Sequence, residues 1–415
     1  MAMVAGGWSL RDLFQYHSAP PYEVVLDCRA VNSGQGVPCG SPWSSLCFDR
    51  NSCEQNLLFR LLQCHPTSRA RMLLSARCVG PDGTQQLSVF VHDPSCSILP
   101  SSTIMSGNIS KSEEFPEKLV SRAEACRDVA KEKGILAETV EEACVVIYVV
   151  PRKGECVSSS PTWNQGQNHL LFDFNDEPRD KRPQADGKAM YAQSNMRPCY
   201  FRYGHDIAVP LPMRHKYEVF RNVAPRDRKY FATFKGTLYL SGSGHTEREA
   251  VRQLGMNANA SSDVVVLEQC QERHQDDVLH KNIRMCQDVL EQYDMATFTD
   301  LMNTTFALVP AGRSPATYRL SEALSAGAIP VFIHDNFVKP FPTRIPWRTF
   351  SFTFSPEETL QVVDTLRAVP NGKLVEMQAI ALQVYDEYFK GGLDSIIHTT
   401  YDILEERLSH RQGRL

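Results

Sequence analysis

The chain has 415 residues, too many for one ordinary core and enough for two α/β domains of usual size. A formal net charge of −4 excludes a globally basic nucleic-acid binder, though not a local basic cleft. Mean hydropathy is −0.31, no run of about twenty apolar residues marks a membrane span, and Met1 to Leu10 lacks both a basic start and a long apolar stretch. Thirteen cysteines and three N-x-[ST] sequons, at Asn108, Asn259 and Asn303, point instead to an oxidising secretory lumen. The odd cysteine count leaves at least one thiol unpaired within the chain.

In chain order, residues 1–86 carry few pattern signals beyond a Gly/Pro/Ser loop around Ser33 to Ser45 and a short helix at Gln55 to Cys64. From Leu87 the alternation sharpens. A strand over Leu87 to His92 leads to a polar loop and a helix over Glu117 to Lys133, and strands follow at Cys144 to Val150, Asn168 to Phe174 and Ile207 to Leu211. A short helix is expected at Asp186 to Gln193. This βα alternation predicts a first Rossmann-like domain over residues 87–212. The basic, proline-bearing segment 213–229 reads as a connection.

A second series starts at Tyr230: strand Phe231 to Lys235, helix Glu247 to Leu254, strand Asp263 to Leu267, helix Met295 to Asn303. Thr305 to Ile333 then reads as a complete βαβ unit. Phe306 to Val309 and Ile329 to Ile333 are its strands, and the helix between them is expected to start at an N-cap Ser314 with Pro315 at N1 and to end at Gly327. Strand Ser351 to Phe354 and helices Pro356 to Ala368, Lys373 to Phe389 and Leu393 to Leu408 close the chain. The second domain is expected over 230–392, and the final helix and tail, 393–415, are expected to pack back across both domains.

Backbone N–H groups at Gly312, the Arg313 guanidinium and the N-terminus of the following helix suit a diphosphate. Glu322, about two turns on, shares a helix edge with Arg319 and suits ribose hydroxyls. A second glycine-bearing turn, Ser241 to Gly244 with Gly242 at its centre, precedes the helix carrying Arg248. The plainer alternative for each is a packing unit with solvated charges.

The stretches NTTFALVPAGR (from Asn303) and YRLSEALSAGAIPVFI (from Tyr318), the later PF and W, and the helical tail resemble the exostosin glycosyltransferases. CFDRNSC, WNQGQNHLLFDF, HDIAVPLP and FKGTLYLSGSGHTEREA extend the resemblance from about Cys47 to the C-terminus. It implies an inverting transferase of the GT-B type, an α/β fold of two Rossmann-like domains facing across a cleft. It implies that Gly242, Gly244, Arg248, Gly312, Arg313, Ser314, Arg319 and Glu322 hold a UDP-sugar. The pair Cys270 and Cys286 resembles a family loop disulfide.

An inverting transfer needs a base for the acceptor hydroxyl and positive charge for the departing UDP. Candidates for the base are Asp206, His205, Asp173 and His169, the last where the family pattern places a turn on the acceptor side. Asp206 and His169 head that set, with turn capping and a satisfied core histidine as their plain alternatives. No D-x-D follows a strand, and Asp276 and Asp277 lie inside the Cys270 to Cys286 loop, so metal-independent catalysis with no further cofactor is expected.

The expected reaction moves glucuronic acid from UDP-glucuronate to a terminal N-acetylglucosamine of a heparan-like glycan acceptor. Arg202, Arg214 and Lys216 are available for the donor carboxylate. Another UDP-sugar on the same fold, or a non-catalytic subunit of a homo- or hetero-dimer, are the alternatives. The resemblance places the protein on the lumenal side of the Golgi or endoplasmic reticulum.

Overall fold

A computed structural model describes residues 78, 86–92, 114–150, 162–163, 166–174, 189–198, 201–239, 244–257, 262–270, 293–334 and 336–409. Gly242 and its neighbours Ser241 and Ser243, Cys286, Asp276, Asp277, Asn108, Asn259 and nearly all of 1–86 lie outside the described residues, as does the side chain of Cys270.

Two five-stranded sheets, parallel throughout, organise the chain. The first has strand order β1-β2-β3-β4-β5, from Val89–Val91, Val145–Val149, His169–Asp173, Met190–Gln193 and Ile207–Ala208. The second, ordered β10-β9-β8-β6-β7, is built from β6 Tyr230–Leu238, β7 Val264–Cys270, β8 Thr304–Pro310, β9 Ile329–Ile333 and β10 Phe352–Phe354. Strands β2, β3, β4, β8 and β9 are buried along their whole length. Helices cover a parallel sheet on both faces, so its strands read as continuous apolar runs.

The helices are α1 Glu114–Glu132, α2 His245–Asn257, α3 Phe298–Leu301, α4 Arg319–Ser325, α5 Trp347–Phe350, α6 Thr359–Arg367, α7 Asn371–Tyr388 and α8 Leu393–Ser409. The two sheets divide the chain between Ala208 and Tyr230. Arg228 ties the connecting segment to the second sheet by donating to five carbonyls, those of Phe220, Val223, Met302, Thr304 and Ala326.

Three expected elements come out differently. The helix expected at Asp186 to Gln193 is strand β4: Met190 to Gln193 are flanked by β3 and β5, and those ladders and full burial outweigh the helix preference of Ala, Met and Gln. The helix expected over Met295 to Asn303 shrinks to four residues, capped reciprocally by Thr297 and Asp300. Lys235 Nζ takes the carbonyls of Tyr293 and Ala296 at 2.6 and 2.7 Å, which removes them as helix acceptors.

The third correction touches the central unit. Its helix begins at Arg319 with Tyr318 at the N-cap position, not at Ser314. Gly312 N–H donates to Ser314 O at 3.0 Å, and Ala316 N–H goes to Asn195 Oδ1 at 3.2 Å, so 311–318 is a turn docked on the first domain. Gly327 does end the helix: with φ +67° it lets Ala328 N–H reach back to Ala323 O at 3.0 Å.

Helix α8 crosses onto α1. Tyr401 OH donates to Cys126 O at 2.9 Å, Lys133 pairs with Asp402 at 2.8 Å, and Arg407 donates to the carbonyls of His205 and Asp206. A disulfide, Cys78–Cys144, pins the chain just before β2 across 66 residues, a pairing that no spacing in the sequence signals. Cys126 is a buried thiol under α8, and burial pushes it up to about 12.

Candidate nucleotide-sugar site

In open α/β sheets, ligands gather at the carboxyl ends of parallel strands. In the second sheet those ends form a lateral row, because Gly236 and Thr237 on β6 pair with Glu268 and Gln269 on β7, while Pro310 on β8 pairs with Ile333 on β9. Arg248, from α2, lies across the row. Its Nε donates to Ala311 O at 2.8 Å and its Nη1 to Thr237 O at 3.3 Å, and its guanidinium rests 4.8 Å from the Phe234 ring centroid and 5.3 Å from that of Tyr239.

Gly244 and Gly312, one from each glycine turn nominated in the sequence, meet here. A Cβ on Gly244 would stand 2.3 Å from Gly312 O, and Gly244 also takes φ +83°, so only glycine lets the start of α2 close on the loop after β8. Arg248 Nη2 borders Gly312 itself. Arg313 is exposed at the tip of this turn, and Ser314 is buried behind it with its hydroxyl donating to Ala316 O at 3.4 Å.

Arg319 and Glu322 are both buried, which differs from a solvated helix edge. They pair at 3.4 Å, Arg319 donates to Lys235 O, and its guanidinium lies 5.9 Å from the same Phe234 ring that Arg248 covers. Two guanidiniums thus share one aromatic side chain. Burial draws Arg248 down to about 10 and lowers Arg319.

Around Arg248 stand buried polar atoms with no hydrogen-bond partner: both carboxylate oxygens of Glu268, Nε of Arg319 and both ring nitrogens of His334. Such groups cost about 1–3 kcal/mol each when left unmade, so a cluster of them calls for an explanation. Burial pushes Glu268 up to about 8 against the pull of Arg248 and Arg252. His334 is brought down to about 3 by burial, with Lys339 and Arg248 adding to the effect. Sequence reasoning missed both residues, since neither belongs to a glycine turn and their isolation appears only on folding.

The residues nominated as base divide by sheet edge. His169 opens β3, at the amino edge of the first sheet, where its Nδ1 meets Gln167 O at 2.6 Å and its ring packs against Tyr148 and Trp163. Asp206 immediately precedes β5 at that same edge. Its oxygens accept from Tyr191 N–H and from Arg202 N–H, Nε and Nη2 at 2.6–3.0 Å, and it is 1% exposed. Both residues are therefore built into the amino edge, and His205 beside them is held down to about 4 by burial. Asp206 and His169, expected as base candidates on the acceptor side, thus both stand at the amino edge of the first sheet.

Among the four nominees, Asp173 alone ends a strand at the carboxyl edge, where Gln193 Nε2 donates to it at 3.1 Å. Two residues beyond Gln193 is Asn195, the acceptor for Ala316 N–H. The carboxyl edge of the first sheet therefore touches the Gly312 turn of the second.

Arg202 is bound to Asp206, Arg214 stacks 3.6 Å over Tyr318 and donates to its hydroxyl, and Lys216 donates to Lys390 O. Asn303 is half-buried, and its Oδ1 accepts from Lys229 N–H at 3.3 Å. Among the described residues no three His, Cys, Asp or Glu side chains gather in a way that holds a metal, and no helix is long and apolar enough to cross a membrane.

The family model of the Exostosin GT47 domain matches residues 136–369. Exostosin-1 of Drosophila melanogaster is 31% identical over 261 residues, covering 60% of this chain and 33% of its own length. The Exostosin-1 homolog of Caenorhabditis elegans is 30% identical over 242 residues, covering 55% of this chain and 62% of that protein. The match thus spans about a third of the first of these relatives. Among solved structures, WaaG, a glycosyltransferase involved in lipopolysaccharide biosynthesis, overlaps 76% of this chain and 99% of its own at 12% identity and a TM-score of 0.35.

Proposed function

We propose, from the premise that the chain belongs to the exostosin GT47 family of glycosyltransferases, that it transfers glucuronic acid from UDP-glucuronate, with inversion, to a terminal N-acetylglucosamine of a heparan-like glycan. The observation that carries the donor half of this reading is the Arg248 row. A buried guanidinium anchored on two carbonyls, two touching glycine turns and the N-terminus of α2 present positive charge where a diphosphate would sit.

In this reading Arg248 and Arg313 meet the negative charge that grows on the departing UDP, and no metal takes part. Glu322, held by Arg319, faces the ribose. Asp173 takes the proton of the acceptor hydroxyl as that oxygen attacks the anomeric carbon from the face opposite UDP. The lumen of the Golgi or endoplasmic reticulum suits the Cys78–Cys144 disulfide.

One observation favours the alternative of a neutral donor sugar, such as galactose or xylose. The three cations available in sequence for a uronate carboxylate, Arg202, Arg214 and Lys216, are engaged elsewhere. The experiment is transfer to an N-acetylglucosamine-ended heparosan oligosaccharide, followed by product mass, with UDP-glucuronate, UDP-galactose and UDP-xylose in parallel and Arg248→Lys as control. One added glucuronate, reduced at least tenfold in the control, is expected. Addition of only galactose or xylose would replace the donor assignment, and no addition from any donor, with nucleotide still bound, would point to a binding subunit.

A further inference from the structure

We propose that His334 is a donor-binding residue, one whose imidazole N–H donates to the diphosphate of the nucleotide sugar beside Arg248. His334 directly follows β9, one step past the Pro310–Ile333 pair, which sets it next to Ala311, the residue whose carbonyl anchors Arg248. The inference rests on the donor reading above and adds to it a residue that no glycine or arginine motif identifies.

Packing alone does not account for this side chain. Its ring stands 5.8 Å from Phe332 and 5.2 Å from Phe337, both apolar neighbours, and it is 4% exposed. In that setting a phenylalanine would fill the space without leaving two polar atoms unpaired. The histidine pays that penalty at the carboxyl edge, in the one region where a ligand oxygen would cancel it.

The chemistry of the ligand follows from the surroundings. Arg248 and Lys339 are the cations that bear on the ring. Burial, with these cations adding to it, keeps the imidazole neutral, and a neutral imidazole always carries one N–H to donate. Beside two cations, the group that accepts such a bond most strongly is an oxygen anion, and the glycine turns that touch at Gly244 and Gly312 suit a diphosphate. Both nitrogens are shielded from solvent. The contact therefore requires the ring to turn toward the glycine turns as the donor enters, and it then forms away from bulk water.

The test is calorimetric titration with UDP, uridine and UDP-glucuronate against wild type, His334→Phe, which keeps the aromatic packing, and His334→Asn, which restores an N–H. UDP and UDP-glucuronate are expected to weaken alike in His334→Phe, by roughly tenfold to a hundredfold, to recover in part in His334→Asn, and uridine to be unaffected. UDP affinity equal in wild type and His334→Phe would overturn the inference while leaving the donor reading intact. Loss confined to UDP-glucuronate would move the contact to the sugar and overturn the diphosphate assignment. A wild type that binds no UDP would remove the donor reading and the inference together. If either variant fails to fold, imidazole 15N shifts of the wild type decide: a change with UDP and none with uridine supports the contact, and no change with either refutes it.

Discussion

At the scale of single residues, the cluster around Arg248 is a set of charges whose folded environment works against their ordinary ionisation. Glu268 shows the consequence for pH. Its carboxyl rises from an ordinary value of 4.5 to about 8 when buried, so the folded state holds a proton that the unfolded state has released. Its contribution to stability is complete below about pH 4.5 and is lost as the pH climbs through about 8. Glu268→Gln is expected to match wild type near pH 5 and to exceed it by roughly 2–4 kcal/mol near pH 9 in urea unfolding. An identical difference at both pH values would show that the carboxyl is charged throughout. Arg248 and Arg313 stand out in the sequence beside their glycine turns, whereas Glu268 and His334 do not. Their signature is a missing partner, and a missing partner is a property of the packed fold.

At the scale of elements, the parallel strands were legible because burial on both faces writes them as apolar runs. Boundaries that depend on a competing partner were not. The turn after β8 has the residues of a helix start, yet Ala316 N–H is taken by Asn195, and the helix begins five residues after Ser314. The contact between the two glycine turns is likewise invisible in the chain, because 68 residues separate Gly244 from Gly312. It yields a sharp prediction. Gly244→Ala places a methyl group against Gly312 O in a left-handed backbone conformation, which should cost about 1–3 kcal/mol and part the turns. UDP affinity should fall more than tenfold in calorimetry, and retention of wild-type affinity would show that the two turns need not touch.

At the scale of the whole molecule, the arrangement is two sheets whose carboxyl edges meet at a shared junction, bridged by Asn195 and Ala316 and by Val338 and Phe341, whose N–H groups donate to Met196 O and Ala208 O at 2.9 and 2.8 Å. Helix α8 closes the assembly from behind. Tyr401 is fully buried, and its hydroxyl reaches Cys126 O on α1, so the last helix is part of the first domain's core. Tyr401→Ala should cost about 3–5 kcal/mol and lower a single unfolding transition, measured by calorimetry. Two separated transitions, with only one lowered, would show that the sheets unfold independently.

The sequence by itself determined the α/β class, the positions of most strands and the family, because each is a local pattern: an apolar run, a turn residue, a motif. Tertiary structure decided which end of a sheet each chemical group occupies. His169 and Asp206 sit in segments that match the family as well as any other, yet a parallel strand has two ends about 13 Å apart over four residues, and only strand direction and register put these two at the amino edge and Asp173 at the other. Chemistry needs groups on one edge, and edges are set by pairing between strands far apart in the chain.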